Sequence, residues 1–157
     1  MEYLGESAIG IWPARAGSLV RVRVGRLVEV RPGRLACVAD VESLNAAVIG
    51  AIRSAAGAFG SGVVVCADHR SASPVPSDLA DPWSRAMRGV NRSISRSAIL
   101  LNPTNVTFNL QIQRVVHCAG NDRRRVFMDR QELQEWLDSR LSEAERAALR
   151  VFLDGPA

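Results

Sequence analysis

The residues best suited to chemistry follow an apolar segment near the middle of the chain. Val63 to Ala67 are apolar, and Asp68, His69 and Arg70 come directly after them. An imidazole can act as a general base or contact an anion, and an arginine fork matches a carboxylate or phosphate. Neighbouring side chains on an extended strand point to opposite faces, so Asp68 and His69 need not act together. Asp68 is equally suited to accept hydrogen bonds from loop amides or to pair with Arg70.

The loop that follows carries two serines and leads into a predicted helix. Ser71 and Ser73 lie beside two prolines, and Asp81-Pro82 is typical of a helix start with Asp81 as the N-cap. Open α/β sheets place their binding sites beyond the carboxyl ends of the strands, and the positive end of a helix favours an anionic group. We therefore predict a functional edge at residues 68–82 that binds rather than catalyses. Its candidate residues are Asp68, His69, Arg70 and Asp81, with Ser71 and Ser73 as candidate phosphorylation sites. The alternatives are ordinary loop serines and a crossover loop stiffened by its prolines.

Other reactive residues do not form a recognisable site. Cys37, Cys66 and Cys118 are far apart in apolar segments, which favours reduced core thiols. With only two histidines, the chain lacks the ligand spacing of a zinc site. His117 is predicted near the end of a helix in a structural or partly exposed position. Glycine motifs typical of hydrolases, phosphate-binding loops and dinucleotide-binding folds are missing, so we predict no enzyme activity, cofactor or metal.

Charge and composition favour a globular domain. The 157 residues are 47% hydrophobic and 23% charged, with a net charge of +4 and arginine at all 20 basic positions. Arg123-Arg124-Arg125 is the one dense basic run. Because aromatic residues make up only 5% of the chain, we interpret this run as a solvated turn before a strand and expect no nucleic-acid partner.

Length and hydropathy predict one cytoplasmic domain. No apolar run approaches the ~20 residues of a membrane span, and the first residues include acids where a signal peptide has a basic region. Residues 1–18 lack a clear period and are predicted to be an irregular lead-in. Residues 19–157 are predicted to form a single α/β domain with a C-terminal helical extension.

The first half of that domain is predicted to contain a hairpin and a helix. Residues 19–24 alternate apolar and basic, Gly25-Arg26 is typical of a two-residue turn, and residues 27–30 form the partner strand. Residues 35–38 are a candidate third strand. A helix of about four turns then begins at Asp40 or Ser43 and ends at residues 57–60.

The second half alternates strands and helices. Buried strands are predicted at 63–67, 98–101 and 125–128. One helix runs from Asp81 to about Ile94, and the final helix begins with a capping box. A helix capped by Thr104 and closed by Gly120 is predicted to bury Val106, Leu110 and Val115, with Phe108 and Ile112 as further core candidates. A helix capped by Asp129 is predicted to place Leu133, Trp136 and Leu137 in the core. The capping box of the final helix consists of Ser142 and Glu145.

This order predicts an α/β fold with a mixed, mostly parallel sheet, a leading β-hairpin and flanking helices. The hairpin 19–30, the segment Val63 to Arg70, and Val126-Phe127-Met128-Asp129 with the helix after it resemble the STAS domain group. The likeness is greatest to its SpoIIAA-like branch, which overlaps in fold with lipid-binding Sec14-type domains. It covers about the middle four-fifths of the chain.

The resemblance implies a non-catalytic, regulatory protein-interaction module of bacterial signalling. STAS proteins of partner switching carry a phosphorylated Ser or Thr at the start of the helix after this strand. Ser71 and Ser73 are the nearest equivalents, although the Ser-Gly pair of that motif is missing here. A protein partner is expected, and a second copy of the chain is a candidate. The alternative is a small apolar-ligand or lipid-binding protein of Sec14-like architecture, with its pocket beneath loop 69–80.

Overall fold

Six strands form one sheet in which the spatial order equals the chain order. The structure, a computed structural model, describes residues 9–60 and 62–155. The first three strands pair antiparallel and the rest pair parallel, which confirms the predicted mixed α/β sheet. The strands are β1 (Gly10–Ile11), β2 (Leu19–Val22), β3 (Leu27–Arg31), β4 (Val63–Asp68), β5 (Ile94–Leu100) and β6 (Arg124–Phe127).

Five α-helices follow the parallel strands. Short 3-10 turns at Ser77–Leu79 and Asn91–Ser93 flank the second helix. The helices are α1 (Val38–Phe59), α2 (Ala80–Gly89), α3 (Val106–Ala119), α4 (Arg130–Asp138) and α5 (Glu143–Asp154).

Each face of the sheet has its own core. β4 is buried throughout, because its alternate side chains point to opposite faces and both faces are covered. Val63, Val65 and Ala67 pack with α1, α2 and α3, whereas Val64 and Cys66 pack with α4 and α5. Three successive crossovers in one direction along the sheet place α1–α3 on the same face.

The hairpin differs from its predicted form by one residue of register. Val20 pairs with Val30 and Val22 with Val28, so the connection is longer than the two-residue turn that we predicted. A two-residue turn would have placed Glu29 opposite Val22. The observed register brings apolar side chains together across the strands, and core packing therefore overrides the turn signal.

Two predictions near α1 are wrong. Residues 35–38 form no strand, and the helix begins at Val38 and runs for 22 residues. Asp40 is not the N-cap but lies in the first turn, where its carboxylate accepts a hydrogen bond from the Ala36 amide at 3.0 Å. The predicted lead-in contributes the short strand β1, and Trp12 beside it packs on the α1 side of the core.

The ends of α2 also differ from the prediction. The helix continues directly from a 3-10 turn, so Leu79 takes the N-cap position, and exposed Asp81 makes no capping hydrogen bond. It ends at Gly89 instead of near Ile94. The backbone leaves the α-helical conformation at Val90 and forms the 3-10 turn Asn91–Ser93, in which the Asn91 amide donates to the Ala119 carbonyl at 3.0 Å.

The prediction of which residues of α3 face the core is partly wrong. Phe108, Ile112 and Val115 are buried, but Val106 and Leu110 are exposed. Thr104 does not cap the helix, because its amide and hydroxyl both donate to Asn102 and Asn105 becomes the N-cap. The helix ends at Gly120, as predicted, and this glycine has a left-handed conformation.

Prediction was most accurate for the C-terminal helices. Asp129 caps α4, and Ser142 with Glu145 forms the capping box of α5. Leu133 and Leu137 are buried as predicted, but Trp136 is only half-buried. The prediction of three buried thiols is wrong, because Cys66 is buried while Cys37 and Cys118 are exposed.

Candidate functional site

Asp68 lies at the carboxyl end of β4 in a buried cluster with two arginines. Arg70 donates to both of its carboxylate oxygens at 2.9 Å, and Arg31 at the end of β3 donates at 3.3 Å. Burial by itself raises the pKa of Asp68, but the hydrogen bonds and charge of Arg70, with the charge of Arg31, hold that pKa below its ordinary value. Asp68 is therefore a carboxylate whose acceptor oxygens are already occupied.

The same two arginines bind the end of α5. Arg31 donates to the Phe152 carbonyl at 2.8 Å, and Arg70 donates to the Leu153 carbonyl at 2.9 Å. The Arg31 guanidinium also lies 4.6 Å from the centre of the Phe152 ring. Cations at a helix C-terminus satisfy its last carbonyls. Asp68 and Arg70 thus join the sheet to α5.

His69 points to the opposite face of the sheet from Asp68, as strand geometry predicted. Its ring lies 5.4 Å from that of Phe108 and 5.8 Å from that of Trp83. It is 3% exposed, and Nδ1 has no hydrogen-bond partner in the described part of the chain. Burial lowers the pKa of His69 to about 4, against the opposing charge of Asp68. The imidazole is therefore neutral at pH 7.

A largely apolar cavity of about 60 Å³ adjoins His69, between the sheet and helices α1 and α2. Buried Arg124 lies at its wall, where it donates to the Asn91 side chain at 2.9 Å and to the Met87 carbonyl at 3.3 Å. Burial lowers the pKa of Arg124 to about 10. The polar residues that line the cavity are Asn45, His69, Ser97 and Arg124.

The loop after β4 is fixed against α3. Gln111 exchanges two hydrogen bonds with the backbone of Val75, at 2.7 and 3.0 Å, and Asn105 donates to the Ala72 carbonyl. Ala72, Val75 and Leu79 are buried. These contacts hold the loop against the core. The loop is therefore a packed crossover connection and not a mobile lid over a pocket.

The two serines lie on the outer side of this loop. Ser71 and Ser73 are exposed, and Ser71 lines a cleft of about 330 Å³ with Arg70, Asn102 and Met128. Asp81 lines neither this cleft nor the cavity beside His69. The structure therefore divides the predicted edge into a buried ion cluster, a buried imidazole and an exposed cleft.

Three exposed apolar side chains lie on α3 and at the wall of the cleft. Val106 and Leu110, one turn apart on α3, are 62% and 64% exposed, and Met128 is 41% exposed. The Asn109 amide lies 3.8 Å from the Met128 sulfur, which connects this patch to the cleft. The sequence analysis did not predict this patch. The helical periodicity could have revealed it, because Val106 and Leu110 fall outside the apolar stripe of Phe108, Ile112 and Val115.

The basic run Arg123–Arg125 divides between interior and surface. Arg124 is buried beside the cavity, whereas Arg123 and Arg125 are exposed at the amino end of β6. The interpretation as a simple solvated turn is therefore wrong for Arg124, because alternate residues of a strand face opposite sides.

In the described residues no metal-binding group identifies the site, and no known relative identifies it either. Among residues 9–60 and 62–155, no three His, Cys, Asp or Glu side chains are grouped to hold a metal ion. Within the same ranges, no helix combines the length and apolar character needed to cross a membrane. No protein-family model matches the chain, and neither does any curated protein or solved structure.

Proposed function

We propose that the chain is a non-catalytic protein-interaction module of the STAS type, used in bacterial signalling. Its binding face is the edge surface, defined as Ser71, Asn102, Val106, Leu110 and Met128. The observation that carries this proposal is the exposure of three apolar side chains, Val106 and Leu110 on α3 and Met128, whose sulfur lies 3.8 Å from the Asn109 amide of the same helix. Exposed apolar side chains with polar groups around them are typical of protein-binding sites.

The charges around the edge surface indicate the chemistry of the partner. Helix α3 contains the exposed Arg114 and no acidic residue. Arg130 also lines the cleft, and it forms an ion pair with Asp154 at 2.6 Å. A protein that presents apolar side chains flanked by Asp or Glu is complementary to this arrangement.

The state of the candidate catalytic groups favours binding over turnover. Asp68 is occupied by two arginines, and His69 lies across the sheet from it. A nucleophile, base and orienting group must lie within hydrogen-bond reach to act together. The exposed part of the edge instead offers hydroxyl, amide and apolar groups.

Phosphorylation at Ser71 or Ser73 would regulate this binding. A phosphate adds about −1.5 to −2 charges, and Ser71 shares its cleft with Arg70 and Arg130. The added charge would lie beside these arginines, and it would repel an acidic partner. We expect the phosphorylated chain to release its partner.

The test is affinity purification from the native bacterial host with three chains. The parent is compared with Val106→Ser/Leu110→Ser and with Val151→Ser, which changes an exposed apolar residue on α5. The partner should be lost from the double variant and retained by the control. Recovery of the same proteins by a correctly folded double variant would show that α3 is not the binding face.

A second comparison tests the regulatory serines. Ser71→Asp/Ser73→Asp should weaken recovery of the same partner, and Ser71→Ala/Ser73→Ala should retain it. Asp68 and Arg70 are left unchanged, because their loss would disturb α5. Size-exclusion chromatography with light scattering then distinguishes a second copy of the chain from a different protein.

The second candidate function is binding of a small apolar molecule beside His69. The unpaired Nδ1 in an apolar cavity favours this function, since a ligand hydroxyl would satisfy it. A cavity of about 60 Å³ is far below the ~300–1,000 Å³ of common ligand pockets, so a phenol-sized molecule fits better than a lipid chain. Phenol should raise the melting temperature of the parent more than that of His69→Phe, and equal shifts would contradict a role for Nδ1.

A further inference from the structure

Five arginines line one cleft at the amino edge of the sheet, opposite the edge surface. Arg92 precedes β5 and Arg96 lies in it, Arg123 and Arg125 flank the start of β6, and Arg140 follows α4. Three separate segments thus contribute arginines to a cleft of about 490 Å³. This volume lies within the ~300–1,000 Å³ of common ligand pockets.

The charge of this cleft is not balanced by the protein. Within residues 9–60 and 62–155, none of the five arginines forms an ion pair with a carboxylate, and Asp122 is the single acidic residue that lines the cleft. Desolvation, followed by the charges of Arg140 and Arg125, lowers the pKa of Arg96. Like charges held together cost energy, which a bound anion would remove.

Part of the cleft is already ordered for binding. The guanidinium carbons of Arg96 and Arg125 lie 4.8 and 5.1 Å from the centre of the Trp136 ring. Arg96 also donates to the Trp136 carbonyl and to the Ser139 hydroxyl, the latter at 2.7 Å. A guanidinium has five N–H donors, so donors remain for a ligand. Fixed positions reduce the entropy lost on binding.

We propose that this cleft binds a small ligand that carries two or more linked phosphate groups. Arginine forks match phosphate oxygens bidentately, and several arginines in one cleft suit several adjacent anionic groups. A single-stranded nucleic acid fits less well, because base stacking needs open aromatic faces. The one aromatic ring that lines the cleft, Trp136, is covered by two guanidiniums and by Phe127 at 5.5 Å.

The test is calorimetric titration of the full chain with tripolyphosphate at physiological ionic strength. Arg92→Gln/Arg123→Gln/Arg125→Gln removes three cleft charges. Arg34→Gln/Arg53→Gln/Arg85→Gln is the matched control, since it removes three exposed arginines elsewhere. A hydrogen bond to a charged group contributes roughly tenfold in affinity, so the cleft variant should bind at least about tenfold more weakly. The control should stay within about twofold of the parent.

Three results would overturn the proposal. They are no binding of tripolyphosphate by the parent, an equal loss in both triple variants, and binding of single-stranded DNA without binding of tripolyphosphate. Titrations with adenosine and with ATP show whether the phosphate groups belong to a nucleotide. Similar affinities for ATP and tripolyphosphate, with no binding of adenosine, would support recognition of the phosphate chain alone. Tighter ATP binding would support a nucleotide ligand. These outcomes do not depend on the edge surface.

Discussion

Neighbouring residues after β4 have separate tasks because a strand directs them to opposite faces. Asp68 holds two arginines that also bind the last carbonyls of α5. His69 enters the other core between two aromatic rings. The contrast explains why these adjacent polar residues contact different parts of the fold.

His69 makes stability depend on pH. Its pKa is about 4 in the folded chain, below the ordinary 6.5, so the unfolded chain binds this proton first as the pH falls. The stabilisation is complete above pH 6.5 and is lost between pH 6.5 and 4, by about 3 kcal/mol in total. Urea unfolding across this range should show the loss in the parent and in His117→Gln. His69→Phe should reduce the loss, and an unchanged slope would assign it to another group.

Asp68→Asn should destabilise the fold. The substitution leaves Arg31 and Arg70 with one less charge partner in a buried cluster, and breaking such a pair costs about 3 kcal/mol or more. Urea unfolding measures the change in the free energy of unfolding. Asp81→Asn is the control, because Asp81 is exposed and surface changes usually stay within about 0.5 kcal/mol. Equal effects of the two substitutions would contradict the structural role of Asp68.

At the scale of elements, the hairpin turn depends on α5. Gly25 has a φ of 60°, and a Cβ there would collide with the Glu145 carboxylate. That carboxylate accepts from the Arg26 amide at 2.6 Å and from the Ser142 amide at 2.8 Å. One side chain therefore caps its own helix and fixes a turn far away in the sequence.

Gly25→Ala should lower the free energy of unfolding by about 2 kcal/mol, through the left-handed backbone and the collision with Glu145. Gly57→Ala is the control, since Gly57 lies within α1 with no neighbour near its Cβ position. Alanine there should stabilise the helix by about 0.5–1 kcal/mol. Thermal unfolding shows whether each substitution lowers or raises the stability of the chain. A stabilised Gly25→Ala chain would contradict the proposed contact.

Adjacent residues of α4 should also differ in their contribution to the free energy of unfolding. Leu137 is fully buried, so Leu137→Ala should cost about 2–5 kcal/mol. Trp136 is half-buried under two guanidiniums, so Trp136→Ala should cost less than the about 3–5 kcal/mol of a fully buried aromatic residue. Denaturant unfolding of both variants measures the difference. A larger cost for Trp136→Ala would show that its ring belongs to the core.

At the scale of the molecule, the two cores meet through the sheet. The core on the sheet face covered by α4 and α5 is the smaller of the two, and Leu149, Phe152 and Leu153 of α5 form much of it. The two faces thus depend on each other, because they share the same strands.

A chain that ends after Leu141 should lose cooperative unfolding. The deletion exposes the apolar face around Val64 and Cys66 and removes the carbonyls that Arg31 and Arg70 bind. Ser142→Ala is the milder comparison and should cost about 1 kcal/mol through the lost cap. Calorimetry of both chains checks this expectation. A sharp transition of the truncated chain at the parent melting temperature would contradict it.

Local sequence patterns were sufficient to predict the elements that depend on near neighbours. Buried strands such as β4, the helix caps Asp129 and Ser142, and the stop at Gly120 were all predictable, because periodicity and capping act over a few residues. The alternation of these elements also determined the mixed α/β sheet.

Tertiary structure decided what depends on distant partners. The hairpin register follows from core packing, and the exposed face of α3 follows from which of its apolar residues meet the sheet. The link from Asp68 to α5 and the arginine cleft each join segments far apart in sequence. Local patterns cannot specify such contacts, since the free energy that fixes them comes from burial and charge interactions formed only when the chain is folded.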